Sequence, residues 1–241
     1  ECIQLQLVDF SKDSKLQTIE EDAFSHTIIK SITIPKEVTV IGKGAFYESK
    51  QLHHIEFSKD SKIQTIENLV FYKSNIESIT IPSSVTDLKE YWCYDASKLK
   101  RVEISPSNER YHHYNEGIII GKSSNETNDY DRLVFCNRDI KTITIPNFIK
   151  YISSSSFARS SLEILIIPSE VTYIGKNAFY ECKQLRCVEF SKDSKLQTIE
   201  ESAFYCIPIE KITIPSEVIF IGQNAFCDCV QLRCVEFSKD S

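Results

Sequence analysis

The chain repeats itself at short range, and that repetition restricts its fold more than any other feature. The string FSKDSK begins at Phe10, Phe57 and Phe190, and FSKDS begins again at Phe237. The intervals from Phe10 to Phe57 and from Phe190 to Phe237 are both 47 residues, which divides into windings of 23 and 24. A segment of pattern L-x-x-I-x-I/F recurs at Leu5, Ile29, Leu52, Ile76, Leu99, Ile140, Leu162, Leu185, Ile209 and Leu232, ten turns of which the last is cut short. A winding this short cannot bury its own apolar face and must stack on its neighbours. With 41% of residues hydrophobic, the chain has enough apolar material for a core shared in that way.

Within each winding, residues at the first, fourth and sixth places, such as Ile29, Ile32 and Ile34, are expected to point inward and stack on Leu52, Ile55 and Phe57 of the next. Parallel strands then run along one face. A second apolar set, Val38 and Ile41 followed by Ala45 and Phe46, returns across the opposite wall. An isoleucine precedes a phenylalanine by five residues in Ile19/Phe24, Ile41/Phe46, Ile66/Phe71, Ile152/Phe157, Ile174/Phe179, Ile199/Phe204 and Ile221/Phe226. These rings predict an internal spine. Pro35, Pro82, Pro146, Pro168 and Pro215 follow the last inward residue of a strand, where the missing N–H ends ladder pairing at little cost. Gly42, Gly175 and Gly222 come just after the second apolar pair, where a bend or close backbone approach favours a residue without Cβ.

A period of 20 to 29 residues carrying L-x-x-I-x-I is the leucine-rich-repeat signature. The fuller pattern L-x-x-I-x-I-P-x-x-V-x-x-I-G-x-x-A-F, nearly complete at 29–46, 162–179 and 209–226, resembles the BspA-like leucine-rich repeats of bacterial and protist surface proteins. Its alternation with FSKDSKLQTIE is most similar to the versions in mucosal parasitic protists. The expected fold is a β-rich leucine-rich-repeat solenoid over residues 1–241. It has about ten coils of 22–24 residues, with parallel strands on one face and short helical or irregular segments on the other. The resemblance implies display at the cell surface or outside the cell and adhesion to host cells, matrix proteins or other microbes. It supplies no catalytic residues.

The pattern breaks in one place. The coil from Leu99 to Asp139 has 41 residues, which leaves room for an insertion of about 17. Residues 105–139 are expected to form an irregular coil with a β-hairpin, Gly117–Ile120 against Leu133–Cys136, joined by a loop over Lys122–Asp131. Such an insertion either forms part of a binding face or covers the wall. Upstream, Trp92 and Cys93 stand where other coils have Ala and Phe, which predicts local repacking. Both ends of the sequence fall inside a coil, as expected of a segment from a longer array, and open ends of that kind permit weak self-association.

Binding by a solenoid depends on the outward residues of its strands, here the third and fifth places, stacked in columns about 4.8 Å apart. The fifth-place column reads Asp9, Thr33, Glu56, Thr80, Glu103, Thr144, Ile166, Glu189, Thr213 and Glu236. Carboxylates alternating with threonines keep like charges about 10 Å apart, close to a Debye length. The third-place column reads Leu7, Ser31, His54, Ser78, Arg101, Thr142, Ile164, Cys187, Lys211 and Cys234. Ile164 and Ile166 are both apolar on a face that is otherwise mostly polar, a departure that marks contact sites. The candidate partner-binding residues are therefore Ile164 and Ile166, with His54, Glu56, Arg101, Glu103 and Glu189.

Other chemistry finds little support. A net charge of -6 argues against nucleic acid as a partner, and no apolar run approaches the roughly 18 residues of a membrane span. The nine cysteines contain no C-x-x-C pair. Cys187 and Cys234 lie two coils apart, beyond disulfide reach. Cys182, Cys206 and Cys227 or Cys229 fall near one bend in successive coils, as bridged neighbours or as reduced, semi-buried thiols. The adjacent pairs His53-His54 and His112-His113 point to opposite sides of a strand, so neither forms a metal site. No phosphate-binding glycine motif occurs, and nothing fixes a nucleophile, base and oxyanion pocket together. No catalytic, cofactor or metal site is expected. Asn125-Glu126-Thr127 is a possible N-glycosylation sequon in the loop of the insertion. The sequence therefore reads as an adhesion or protein-binding module whose ligand is a protein or surface glycoprotein, with an intracellular interaction scaffold as the alternative.

Overall fold

A computed structural model describes residues 2–115, 117–124, 126 and 128–238. The chain comprises two compact units, Glu1–His113 and Tyr114–Ser241. Each is a stack of windings joined edge to edge by parallel strands. Among the described residues there is no helix, so none is long and apolar enough to cross a membrane.

In the first unit the strand face is formed by β1 (Ser31–Ile34), β2 (His54–Phe57), β3 (Ser78–Ile81) and β4 (Arg101–Ile104). Ser31 pairs with His54, His54 with Ser78 and Ser78 with Arg101, all in parallel. Side chains alternate as the pleat requires: Ile32, Ile55, Ile79 and Val102 are buried, while Thr33, Glu56 and Thr80 face solvent. The Leu5 segment carries the same pattern but forms no strand. Its carbonyl accepts one bond from Ile28 N–H, at 3.1 Å, and Leu7 is 73% exposed.

The second unit opens with the inserted hairpin, β5 (Ile118–Gly121) against β6 (Arg132–Cys136), antiparallel with a bulge between Ile119 and Ile120. Its strands are buried, and β6 continues in parallel into Tyr151–Ile152, so the hairpin forms part of the wall. The strand face then runs through β7 (Thr142–Thr144), β8 (Ile164–Ile167) and β9 (Cys187–Phe190). A separate pair follows, β10 (Lys211–Ile214) and β11 (Cys234–Phe237).

Two further walls complete each winding. Two-residue strands such as Val40–Ile41 and Tyr173–Ile174 form a second parallel ladder. The third wall is a ladder of turns: Phe24 N–H donates to Ala45 O and Phe46 N–H to Val70 O, as Phe157 and Phe179 donate to Ala178 O and Ala203 O. In these turns the backbone enters the left-handed region twice, four residues apart, as at Asp22 and His26 or Asn177 and Glu181. Asp, Asn and Gly accept that conformation readily, whereas Leu69, with φ of 58°, is a costly occupant.

The phenylalanine spine lies inside this frame. Rings stack in the order Phe24–Phe46–Phe71 in the first unit and Phe157–Phe179–Phe204–Phe226 in the second, with centroids 4.9 to 5.8 Å apart. Trp92 takes the next place after Phe71 and meets it edge-on at 6.2 Å, which is the local repacking that the displaced bulk predicts. The glycine positions follow from close stacking. A Cβ on Gly42 would lie 2.7 Å from the backbone of Glu20 and Glu21 in the preceding coil.

The strand face is not evenly laced. From β1 to β2 the spacing is 23 residues and pairing is complete, as it is from β3 to β4, β8 to β9 and β10 to β11. From β2 to β3 it is 24, His54 to Ser78, and only that pair remains in register. The spacing is also 24 from Cys187 to Lys211, and there the sheet separates. The FSKDSK corner is two residues longer than the proline corner and the return to the next strand one shorter, and a cleft opens beside that corner in each unit, of about 510 and 880 Å³.

Candidate functional site

The outward columns predicted from the repeat are present in each unit, but their chemistry differs. In the first unit the charged candidates are satisfied within their own strands. His54 Nε2 lies 3.0 Å from Glu56 Oε1, the Arg101 guanidinium pairs with Glu103, and His113 Nε2 is 3.4 Å from the other Glu103 oxygen. Residues two apart on a strand project from one face, so each pair forms without help from a neighbouring coil. Exposed pairs of this kind contribute about 0–1 kcal/mol. The result is a solvated face whose charges are already partnered.

In the second unit, Ile164 and Ile166 project from β8 with 48% and 52% of their surfaces exposed. In register beside them are Thr142 and Thr144 of β7 on one side and Cys187 and Glu189 of β9 on the other. Leu165 and Ile167, the alternate residues, are wholly buried. Glu189 is exposed and accepts from Cys187 Sγ at 3.4 Å. Burial, reinforced by that carboxylate, holds the Cys187 thiol above its ordinary range. A cleft of about 1080 Å³ adjoins this patch, with Tyr114, Ile140, Ile143 and Ile166 in its lining. Tyr114 is 46% exposed, and its ring meets that of exposed Phe148 edge-on at 5.5 Å. Tyr114, Phe148 and the cleft are absent from the sequence-based candidates, because the hairpin that brings Tyr114 beside the strand face interrupts the repeat.

The structure holds all nine cysteines as free thiols. Their places explain two of them. Thr27 and Ser49 hydroxyls donate to Phe24 O at 3.0 and 2.7 Å, and Ser74 donates to Phe71 O at 2.9 Å. Cys182 and Cys229 occupy the same column and donate to Phe157 O and Phe204 O at 3.0 and 3.1 Å. The thiol stands in for a hydroxyl that satisfies the carbonyl of a spine residue. Burial holds Cys182 above its ordinary range and pushes Cys136 up to about 12. Such thiols are poor nucleophiles. Among the described residues no three His, Cys, Asp or Glu side chains are grouped to hold a metal ion. The sequon residue Asn125 lies outside the described residues.

Residues 1–115 and 126–241 match the BspA type leucine rich repeat region, in six copies. Among solved structures, the chain is similar to the pneumococcal vaccine antigen PcpA, with 25% identity and a TM-score of 0.89 over 98% of this chain and 57% of that one. It is also similar to a leucine-rich cell surface protein from Faecalibacterium prausnitzii, at 24% identity and a TM-score of 0.69 over 92% and 63% of the two chains. A leucine-rich repeat protein from Eubacterium ventriosum aligns at 24% identity and a TM-score of 0.63, covering 91% and 70%. The chain thus spans less than two thirds of the first two. No curated protein matches it.

Proposed function

The chain belongs to the BspA-type leucine-rich-repeat family, and from that premise we propose that it is a protein-binding module of a cell-surface protein that adheres to host cells, matrix or other microbes. Proteins of this family and fold typically serve as binding scaffolds without enzymatic activity. The observation that carries the reading is the exposed pair Ile164 and Ile166, set on a rigid strand with its alternate residues fully buried. Apolar side chains fixed in that way lose little conformational freedom on binding, which makes them suitable anchors. Glu189 lies in register with Ile166, and charged groups at the edge of an apolar contact favour specificity and encounter rate. The polar candidates of the first unit, His54, Glu56, Arg101 and Glu103, are secondary because each already has a partner within its strand.

The surface location rests on family membership and on two neighbours, a vaccine antigen and a cell surface protein. The neighbours named are bacterial, so the protist form that FSKDSKLQTIE resembles has no support from them. The test is the double variant Ile164→Thr/Ile166→Thr, compared with the unaltered chain for retention on host epithelial cells and on immobilised matrix proteins. At least a tenfold loss of binding with an unchanged circular dichroism spectrum is expected, about 1.4 kcal/mol. Undiminished binding overturns the assignment.

A further inference from the structure

Within the second unit, the windings that open at Leu185 and Ile209 are not joined on the strand face. Among the described residues β9 and β10 share no register pair, whereas the corresponding strands of the first unit, β2 and β3, keep one, His54 with Ser78. The other walls hold the two windings together. Thr198 and Ile199 pair with Phe220 and Ile221 in the second ladder. In the turns, the N–H groups of Ser202, Phe204 and Cys206 donate to the carbonyls of Gln223, Ala225 and Cys227 at 2.9, 2.8 and 2.9 Å. The last of these bonds sets one cysteine against another across the junction. Both reach the surface, Cys227 exposed and Cys206 half-buried.

Residues that share a main-chain hydrogen bond across neighbouring segments have Cα atoms about 5.5 Å apart. That lies inside the range of roughly 4.4–6.8 Å that a disulfide spans. The direction of the side chains is shown by the same two places in the first unit. There His26 N–H donates to Tyr47 O at 2.8 Å, and the two rings meet at 5.6 Å. Cys206 also shares the left-handed backbone of His26, with φ of 56° in each. Side chains at these places therefore converge instead of pointing apart. The third cysteine of the turn does not compete, because Cys229 is buried and its thiol is committed to Phe204 O at 3.1 Å.

We propose that Cys206 and Cys227 are an oxidation site, at which a small disulfide such as glutathione disulfide drives formation of an intramolecular disulfide that clasps these two windings on the turn wall. Each thiol first loses its proton to solvent. One thiolate attacks the small disulfide, forms a mixed disulfide and releases a glutathione thiolate; the second attacks the protein sulfur of that bond and releases the other. Two protein thiols are thereby oxidised and one glutathione disulfide is reduced to two thiols. The clasp falls at the junction whose strand face is unpaired. In the first unit, where β2 and β3 keep a register pair, the matching places hold Lys73 and Tyr94. Disulfides persist in the oxidising surroundings of a cell surface, and the geometry that forms this one is independent of where the chain acts.

The test starts from the whole chain, fully reduced, and incubates it with glutathione disulfide at about 1 mM. The remaining thiols are then blocked with N-ethylmaleimide and the chain is digested with trypsin. Cleavage after Lys211 separates residues 196–211, which carry Cys206, from residues 212–233, which carry Cys227 and Cys229. The expected product is these two peptides joined, about 2 Da lighter than their reduced sum. It should form in Cys229→Ser, a change to the hydroxyl that Ser49 and Ser74 supply at the same place, and be absent in Cys227→Ser. Exchange at the Phe204 and Cys206 amides, which donate to Ala225 and Cys227, is expected to slow about tenfold in the oxidised chain. Thiols that stay free, a glutathione adduct that persists at Cys227, a link that survives Cys227→Ser, or unchanged exchange each overturn the inference. None of these outcomes depends on the cell-binding assay of the Ile164 and Ile166 variant.

Discussion

Replacing Phe179 with alanine is the most direct way to weigh the internal spine. The ring is fully buried and lies between two others, 4.9 Å from Phe157 and 5.1 Å from Phe204. Deleting a buried phenylalanine side chain costs about 3–5 kcal/mol in lost transfer free energy and residual cavity. Each lost stacking contact adds to that burial term by roughly 0.5–1.5 kcal/mol. Phe179→Ala is therefore expected near the top of the range, about 5 kcal/mol. Trp92 belongs to the first unit, so tryptophan fluorescence reports the wrong half of the chain. Native-state hydrogen exchange resolves the right one. The amides of Phe157, Phe179 and Phe204, which donate to Ala178, Ala203 and Ala225, should lose protection together. A loss under about 1 kcal/mol, comparable to an exposed substitution such as Ile166→Thr, would refute the reasoning.

Four further outcomes follow from particular residues. With a thiol reagent at mild alkaline pH, the exposed Cys2, Cys227 and Cys234 should react quickly, while Cys93, Cys136, Cys182 and Cys229 stay protected until the chain unfolds. Because burial pushes the Cys136 thiol from about 9 up to about 12, its contribution to stability is complete below pH 9 and declines as pH rises toward 12. Urea titrations at pH 8 and pH 10.5 should show that decline, reduced in Cys136→Ala. Gly42→Ala would place a methyl group 2.7 Å from the Glu20 and Glu21 backbone and should cost about 1–3 kcal/mol by thermal melting. Leu69→Asn relieves a left-handed leucine with φ of 58° and should raise stability by about 1 kcal/mol on the same assay; a fall of that size would show that its half-buried side chain outweighs the strain.

The sequence was informative wherever one residue type answers one geometric demand. The Ile-to-Phe spacing placed Phe46, Phe71, Phe157, Phe179 and Phe204 in the spine, because a stacked column recurs at a fixed phase of every winding. Gly42 was legible because close backbone approach leaves no room for a Cβ, and Pro35 and Pro168 because they directly follow β1 and β8. The pair Ile164 and Ile166 was visible because it violates the outward polarity of its own column. What stayed hidden depends on contacts between coils. The role of Cys182 as a carbonyl donor appears only once Ser160 and Phe157 of the preceding coil lie beside it. The loosened sheet after each FSKDSK corner follows from one extra residue, which a consensus absorbs as a gap. Tyr114 joined the candidate surface through the hairpin, whose register no repeat prescribes.

The central claim is that successive windings of each unit lie side by side in parallel register over one shared core. Proton–proton distance measurements by nuclear magnetic resonance test it in a single experiment. Close contacts are expected from Ile164 to Thr142 and to Cys187, and from the Phe179 ring to those of Phe157 and Phe204. Contacts that join Ile164 to an antiparallel neighbour, or that confine the Phe179 ring to its own winding, would contradict it.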